Sequence, residues 1–147
     1  MKKIKYLSLI LVLILLCACG KKVALNEKSL DSKLTDLGFS IVDVTKQLED
    51  ESIKTVKTAN NSKYQIEYYI FKDEKSSKNA YKNNIKSLKA NKKYKGKETN
   101  KDNYNKYVQE TKDFYNSVTR IDDTILYVSV GKANKSDVKK VIGKLGY

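Results

Sequence analysis

The chain has 147 residues, with 30 basic side chains against 17 acidic ones and a formal net charge of +13. It contains no histidine, so the commonest general base and the commonest metal ligand of proteins are both missing. The positive charge favours anionic partners. The alternative explanation is an A/T-rich genome, because lysine, asparagine, isoleucine and tyrosine are all frequent and all have A/T-rich codons.

A basic and then apolar segment opens the sequence. Three lysines within the first five residues precede an apolar run at residues 6–16 that is interrupted only by Ser8. This order is typical of a secretory signal peptide. At about 11 residues the run is too short for a membrane-spanning helix, which needs about 20. A single membrane span or a buried core helix is the alternative interpretation.

The residues that end this run, Leu16-Cys17-Ala18-Cys19, resemble the lipobox of bacterial membrane lipoproteins. The resemblance implies cleavage between Ala18 and Cys19, diacylation of the Cys19 sulfur, and a location on the outer face of the bacterial cytoplasmic membrane. Cys17 fits less well, since Leu16 would then precede the cut, where signal peptidases require a small side chain. With Cys17 removed and Cys19 lipidated, we expect no disulfide.

Three segments of unequal length follow from this interpretation. Residues 1–18 form the signal peptide, residues 19–25 a short lipidated tether, and residues 26–147 a single α+β domain. The signal carries three of the basic residues and none of the acidic ones. The 129 residues that remain after cleavage therefore have a formal charge of +10, and their number suits one small domain.

Apolar periodicity predicts three helices and six strands in the domain. Leu30, Leu34 and Leu37 recur at helical spacing after a cap at Asn26 or Ser29, and Gly38 ends that helix. Period-two alternation predicts strands, most clearly at residues 63–71. The remaining strands are predicted at residues 39–45, 53–59, 104–111, 114–121 and 124–130, and the other helices at residues 74–90 and 135–145.

The connections between these elements are short, which favours antiparallel pairing. We therefore predict an α+β fold with the order α-β-β-β-α-β-β-β-α, in which about five to six strands form one antiparallel sheet and the helices cover one of its faces. Residues 91–103 are polar and rich in lysine, and are predicted to form a mobile surface loop.

A second resemblance rests on residues 117–130, the run at residues 66–74 and the closing Leu145-Gly146-Tyr147. These residues resemble small uncharacterised lipoproteins of Gram-positive bacteria, which are similar in length and in the position of the lipobox. Asp122-Asp123 departs from that pattern, where a shorter Asn or Gly turn is expected. The resemblance implies no activity, so no functional residue is carried over from it.

Tyrosines on the predicted strands form a candidate ligand face. Interleaved with lysines, such rings suit stacking against sugars or other aromatic ligands. The alternative is that they fill half-buried positions, since tyrosine has a high β-propensity. The candidate residues are Tyr64, Tyr68, Tyr104, Tyr107, Tyr115 and Tyr127.

Catalytic and metal-binding patterns are weak in this sequence. Ser136 and Lys139 have the Ser-x-x-Lys spacing of penicillin-binding enzymes, but the companion Lys-Thr-Gly element is missing. The carboxylates at residues 49–51, 73–74 and 122–123 lack the spacing of a calcium loop. We therefore expect no catalytic residue, no metal and no cofactor.

These observations lead to a lipid-anchored, non-enzymatic binding module on the cell surface. Its expected partners are the membrane through Cys19, an anionic lipid or wall polymer, and an unidentified protein or small ligand. Nucleic acid is not expected, because Arg120 is the only arginine. The alternatives are an envelope hydrolase that uses carboxylates or the Ser136–Lys139 pair, and a structural or protective envelope lipoprotein.

Overall fold

A computed structural model describes residues 21–147, so the signal segment and the lipobox at residues 16–19 lie outside the described residues. The helices are α1 (Glu27–Asp36), α2 (Glu74–Ala90) and α3 (Lys135–Leu145). Two short 3-10 helices lie at Thr45–Gln47 and Lys132–Asn134. The strands are β1 (Ser40–Asp43), β2 (Ile53–Asn60), β3 (Gln65–Phe71), β4 (Gly96–Lys101), β5 (Tyr104–Glu110), β6 (Phe114–Ile121) and β7 (Thr124–Gly131).

All seven strands belong to one antiparallel sheet with the order β1-β2-β3-β7-β6-β5-β4. The α+β class is confirmed, with seven strands where five to six were predicted. The added strand is β4, which lies within the predicted loop. Its side chains are exposed and carry no apolar alternation, and it becomes a strand by pairing with β5 along the edge of the sheet.

Helices cover both faces of the sheet, whereas the sequence predicted cover on one. On the first face, Leu30 and Leu34 of α1 and Val138 of α3 join a core that contains Ile66 and Leu126. On the second face, Tyr81 and Ile85 of α2 form a separate core with residues of the sheet, namely Phe71, Tyr107, Val118 and Ile125. Because β6 and β7 are buried on both sides, each of their faces needs its own helical layer.

Capping side chains position the first two helices, and the cap at Asn26 is one of the two predicted for α1. Asn26 Oδ1 accepts a hydrogen bond from the Ser29 amide at 2.9 Å, and Asp73 Oδ1 accepts one from the Ser76 amide at 2.7 Å. Gly38 follows α1 with a φ of +80°, a conformation that glycine adopts without strain. The starts of α1 and α2 and the end of α1 therefore agree with the sequence prediction.

The described part of the predicted tether, residues 21–25, lies against the domain. Asn103 Nδ2 donates a hydrogen bond to the Lys22 carbonyl at 2.7 Å, and Tyr68 Oη donates one to the Leu25 carbonyl at 2.6 Å. Ala24 and Leu25 pack against the core of the first face. The segment is thus fixed to the domain by side-chain hydrogen bonds to its carbonyl groups and by apolar burial.

Within residues 21–147, none of the helices combines the length and the apolar character needed to cross a bilayer.

Candidate functional site

An open groove lies on the first face, where the β4–β5 edge of the sheet extends beyond the cover of α3. It encloses about 570 Å³. Its floor is apolar, from Val108 and the buried ring of Tyr115, and lysines form its rim. We call this site the basic groove; its lining residues are Lys95, Gly96, Lys97, Thr99, Lys106, Val108, Glu110, Tyr115 and Lys139.

Strand register brings these side chains together. On β4, Lys97 and Thr99 are two residues apart and so point to the same face. Lys97 is paired with Val108 of β5, and Thr99 is paired with Lys106. Lys139 reaches the groove from the exposed side of α3. The site therefore combines residues from three elements that are distant in the sequence.

The electrostatics of the basic groove favour an anion. Burial lowers the pKa of Lys106, and the positive charges of Lys22 and Lys139 lower it further. Among the described residues that line the groove, Glu110 is the only carboxylate, and it is ion-paired with Lys135. The hydrogen bond from Lys135 also holds the pKa of Glu110 below its usual range. A bound anion would relieve the repulsion between the lysines.

The six predicted tyrosines do not share one open face. Tyr68, Tyr104 and Tyr115 belong to the core of the first face, whereas Tyr107 lies in the core of the second face, where Tyr127 packs against it. Four of the six rings are buried, with exposed fractions of 9% or less, namely Tyr68, Tyr104, Tyr107 and Tyr115. Tyr64 and Tyr127 are half-buried.

Hydrogen bonds tie several of these rings into the fold. Tyr68 Oη lies 2.8 Å from Tyr147 Oη, which lies 2.6 Å from Thr124 Oγ1. Tyr64 Oη donates to Asp137 at 3.0 Å, and burial together with this carboxylate raises its pKa to about 12. Of the six, Tyr115 lines the basic groove, where its neighbours are lysines and not the other candidate tyrosines.

Arg120 is wholly buried beneath α2. Its Nε donates to Asn105 Oδ1 at 2.6 Å, and its Nη1 donates to the Asp122 carbonyl at 2.6 Å and to Glu74 Oε1 at 3.2 Å. A buried charge of this kind requires such partners. Arg120 therefore has a structural role, because its hydrogen bonds connect α2 with strands β5 and β6.

The other candidate groups have structural partners or exposed positions. Ser136 and Lys139 line a shallow hollow of about 400 Å³ on α3, together with Lys135 and Lys140. Asp50 accepts a hydrogen bond from Ser52, and Asp122 turns the chain between β6 and β7 with a φ of +49°. Among residues 21–147, no group of three or more acidic or cysteine side chains is placed to hold a metal ion.

The sequence prediction does not group the groove lysines, because it assigns residues 91–103 to a loop. Lys97, Thr99 and Lys101 share one face only once the segment is extended, and the residues between them are also polar, so no alternation indicates a strand here. No local signal links Lys106 or Lys139 to this segment.

Comparisons of the chain with protein-family models, with curated proteins and with solved structures found no match.

Proposed function

We propose that this chain is a lipid-anchored, non-enzymatic binding module on the outer face of the bacterial cytoplasmic membrane. Its basic groove binds a phosphate-bearing anionic ligand. The observation that supports this proposal is the convergence of Lys95, Lys97, Lys106 and Lys139 around one groove. The lipid anchor is supported by the sequence Leu16-Cys17-Ala18-Cys19.

The chemistry of the groove favours phosphate esters. Lysine ammonium groups are flexible donors that suit phosphate oxygens as point charges, and the Thr99 hydroxyl adds a neutral donor. The ring of Tyr115 and the side chain of Val108 offer an apolar floor for the carbon skeleton between phosphates. Because the groove is open along the edge strand, it suits a chain-like or surface-borne ligand better than an enclosed small molecule.

A charge-matched pair of double variants tests the groove. The full lipidated chain is held in detergent micelles, and its affinity for a soluble glycerol-phosphate oligomer is measured. Replacing both Lys97 and Lys139 with glutamine should weaken binding roughly tenfold, because each lysine that contacts phosphate contributes a separate electrostatic term. The binding should also weaken with added salt.

The control variant removes the same charge elsewhere. Lys82 and Lys86 are exposed on α2, which packs on the opposite face of the sheet, and their replacement with glutamine should change the affinity less than about twofold. Equal weakening in the two double variants would contradict the proposal, since it would show that binding depends on net charge and not on the groove.

Cysteine variants test the anchor separately. In cells supplied with a fatty-acid probe, we expect Cys19→Ser to abolish labelling, because its sulfur is the proposed attachment atom. Cys17→Ser should be labelled like the unmodified chain, because Cys17 leaves with the signal peptide. Unchanged labelling of the Cys19→Ser chain would refute the assignment.

A further inference from the structure

We infer that the partner of the basic groove is the anionic surface of the bilayer in which the chain is anchored, and that the domain lies on this surface in one orientation. The inference rests on the proposed function and names its ligand as the phosphate headgroups of membrane lipids. It follows from the docking of residues 22–25, from their position beside the groove, and from the charges around them.

The docked segment restricts how the domain moves relative to its anchor. The carbonyls of Lys22 and Leu25 each accept a hydrogen bond from the domain, at 2.7 and 2.6 Å. Their donors are buried, since Asn103 is 9% exposed and Tyr68 is 2% exposed. Lys22 Nζ also donates to the Gly146 carbonyl at 3.1 Å. Residues 22–25 therefore move with the domain and do not form a flexible tether.

Covalent geometry then places the lipid close to the domain. Cys19 is three residues before Lys22, and three extended residues span at most about 11 Å. This distance is similar to the Debye length of about 8 Å at physiological ionic strength. Charges around Lys22 are therefore held where they interact with lipid headgroups.

Lys22 lies beside the basic groove. Its Nζ is 5.4 Å from the centre of the Tyr104 ring. Tyr104 lies two residues before the groove residue Lys106 on β5. Lys22 Nζ donates to the Gly146 carbonyl at 3.1 Å and Lys106 Nζ donates to the adjacent Tyr147 carbonyl at 3.3 Å, so the two ammonium groups are near each other. Lys22 and the groove thus lie on the same side of the domain.

This side of the domain is strongly basic. Lys97 and Lys101 of β4 point to it by their register with residues of β5. Lys106 and Lys139 line the groove, and Lys22 lies beside it. Glu110 is already paired with Lys135. A surface with several lysines beside a lipid attachment point suits a membrane rich in anionic headgroups, because the anchor and the charges act together.

Headgroup quenching in vesicles measures the orientation. The full lipidated chain carries a fluorophore on a cysteine placed either at Lys101, which points to the same side as the groove without lining it, or at Ser87, on the exposed side of α2. It is inserted into vesicles of phosphatidylglycerol and phosphatidylcholine that contain a headgroup-linked quencher. We expect the probe at position 101 to be quenched several-fold more strongly than the probe at position 87.

Two changes should reduce this difference. Replacing Lys97 and Lys139 with glutamine removes charges that face the headgroups, whereas the Lys82 and Lys86 control removes charges from the other face. A flexible Gly/Ser linker of about ten residues between Gly20 and Lys21 lengthens the tether while leaving the docked residues intact. In phosphatidylcholine vesicles, this insertion should abolish the preference that the native tether imposes.

The outcomes separate this inference from the proposed function. A chain that does not float with vesicles contradicts the anchor and, with it, this inference. A chain that floats but is quenched equally at both positions contradicts the orientation alone. If the two probes are quenched equally while the glycerol-phosphate oligomer still binds and the Lys97 and Lys139 double variant still weakens that binding, a wall polymer and not the bilayer is the occupant of the groove.

Discussion

Gly96 lies where β4 passes directly over the ring of Tyr107. A Cβ atom built at this glycine would collide with the ring carbons and the hydroxyl group of Tyr107. The ring cannot easily move away, because it is 2% exposed and lies in the core beneath α2. The absence of a side chain at this single position thus permits the close pairing of the edge strand that carries Lys97 and Thr99.

A substitution at Gly96 tests this packing argument. We expect Gly96→Ala to lower the free energy of unfolding by about 1 to 3 kcal/mol, the usual cost of inserting a methyl group into a filled space. Urea denaturation of the full chain measures it. Gly143→Ala is the matched control, because a Cβ there meets no atom within 4 Å. In helix α3 this change should stabilise by about 0.5 to 1 kcal/mol. Equal effects of the two substitutions would show that the Tyr107 contact is unimportant.

Helix α1 begins immediately after the docked segment, and its start depends on one side chain. Asn26 takes an extended backbone conformation, and its Oδ1 accepts a hydrogen bond from the Ser29 amide. Glu27 adds a carboxylate to the first turn, where it interacts favourably with the helix dipole. The first two turns of α1 connect to the sheet, since Glu27 accepts a hydrogen bond from Thr55 and Asp31 accepts one from Lys57.

The cap of α1 can be removed without changing the core. Asn26→Ala should lower the free energy of unfolding by about 1 kcal/mol, because the Ser29 amide loses its partner. Asn26→Ser keeps an acceptor at the same position, and its effect should be smaller than about 0.5 kcal/mol. Both values are obtained from urea unfolding curves of the full chain. Identical midpoints for the alanine and serine variants would contradict the capping role.

The charges of the domain as a whole determine how its stability depends on pH. Hydrogen bonds from Thr45 lower the pKa of Asp43, and those from Ser76 lower the pKa of Asp73. Ion pairs with Lys89 and Lys135 lower the pKa of Glu98 and Glu110. Each of these carboxylates is more acidic in the folded state than its ordinary value of 3.8 for Asp or 4.5 for Glu. Their contribution is therefore fully present above these values and is lost as the pH falls through the lower folded-state pKa.

We expect the urea midpoint to stay nearly constant between about pH 5 and pH 8, since the chain has no histidine to titrate there. Below about pH 4.5 the midpoint should fall steadily, as the paired carboxylates take up protons and the excess of positive charge grows. The Lys89→Gln variant removes the partner of Glu98, so its midpoint should fall less on acidification. A midpoint that rises below about pH 4 would reverse the predicted sign.

Much of the fold could be predicted because its information is local. The bounds of α2, α3 and β6 agree with the prediction, since helical spacing places Tyr81 and Ile85 on one side of α2 and polar turn residues precede and follow β6. Strand β4 could not be predicted in this way. Its residues are exposed, and its extended conformation depends on hydrogen bonds to β5, which follows it in the chain.

The candidate site was less predictable than the fold. Alternation correctly separates Tyr68 from Tyr69 onto opposite sides of β3, but it does not say which side a helix will cover. In the structure, α1 and α3 cover Tyr68 and α2 covers Tyr107, so most of the tyrosine rings are packed in the core. The lysines of the basic groove were dispersed along the sequence and meet because β4, β5 and α3 are neighbours at one edge of the sheet.

Local patterns in the amino-acid sequence suffice for the lipobox resemblance, for most helix and strand bounds, and for the α+β class, because each depends on residues within one segment. The placement of helices on both faces, the edge strand β4, the docking of residues 22–25 and the basic groove depend on contacts between distant segments. Burial and strand pairing decide these features, and both arise only when the whole chain has folded.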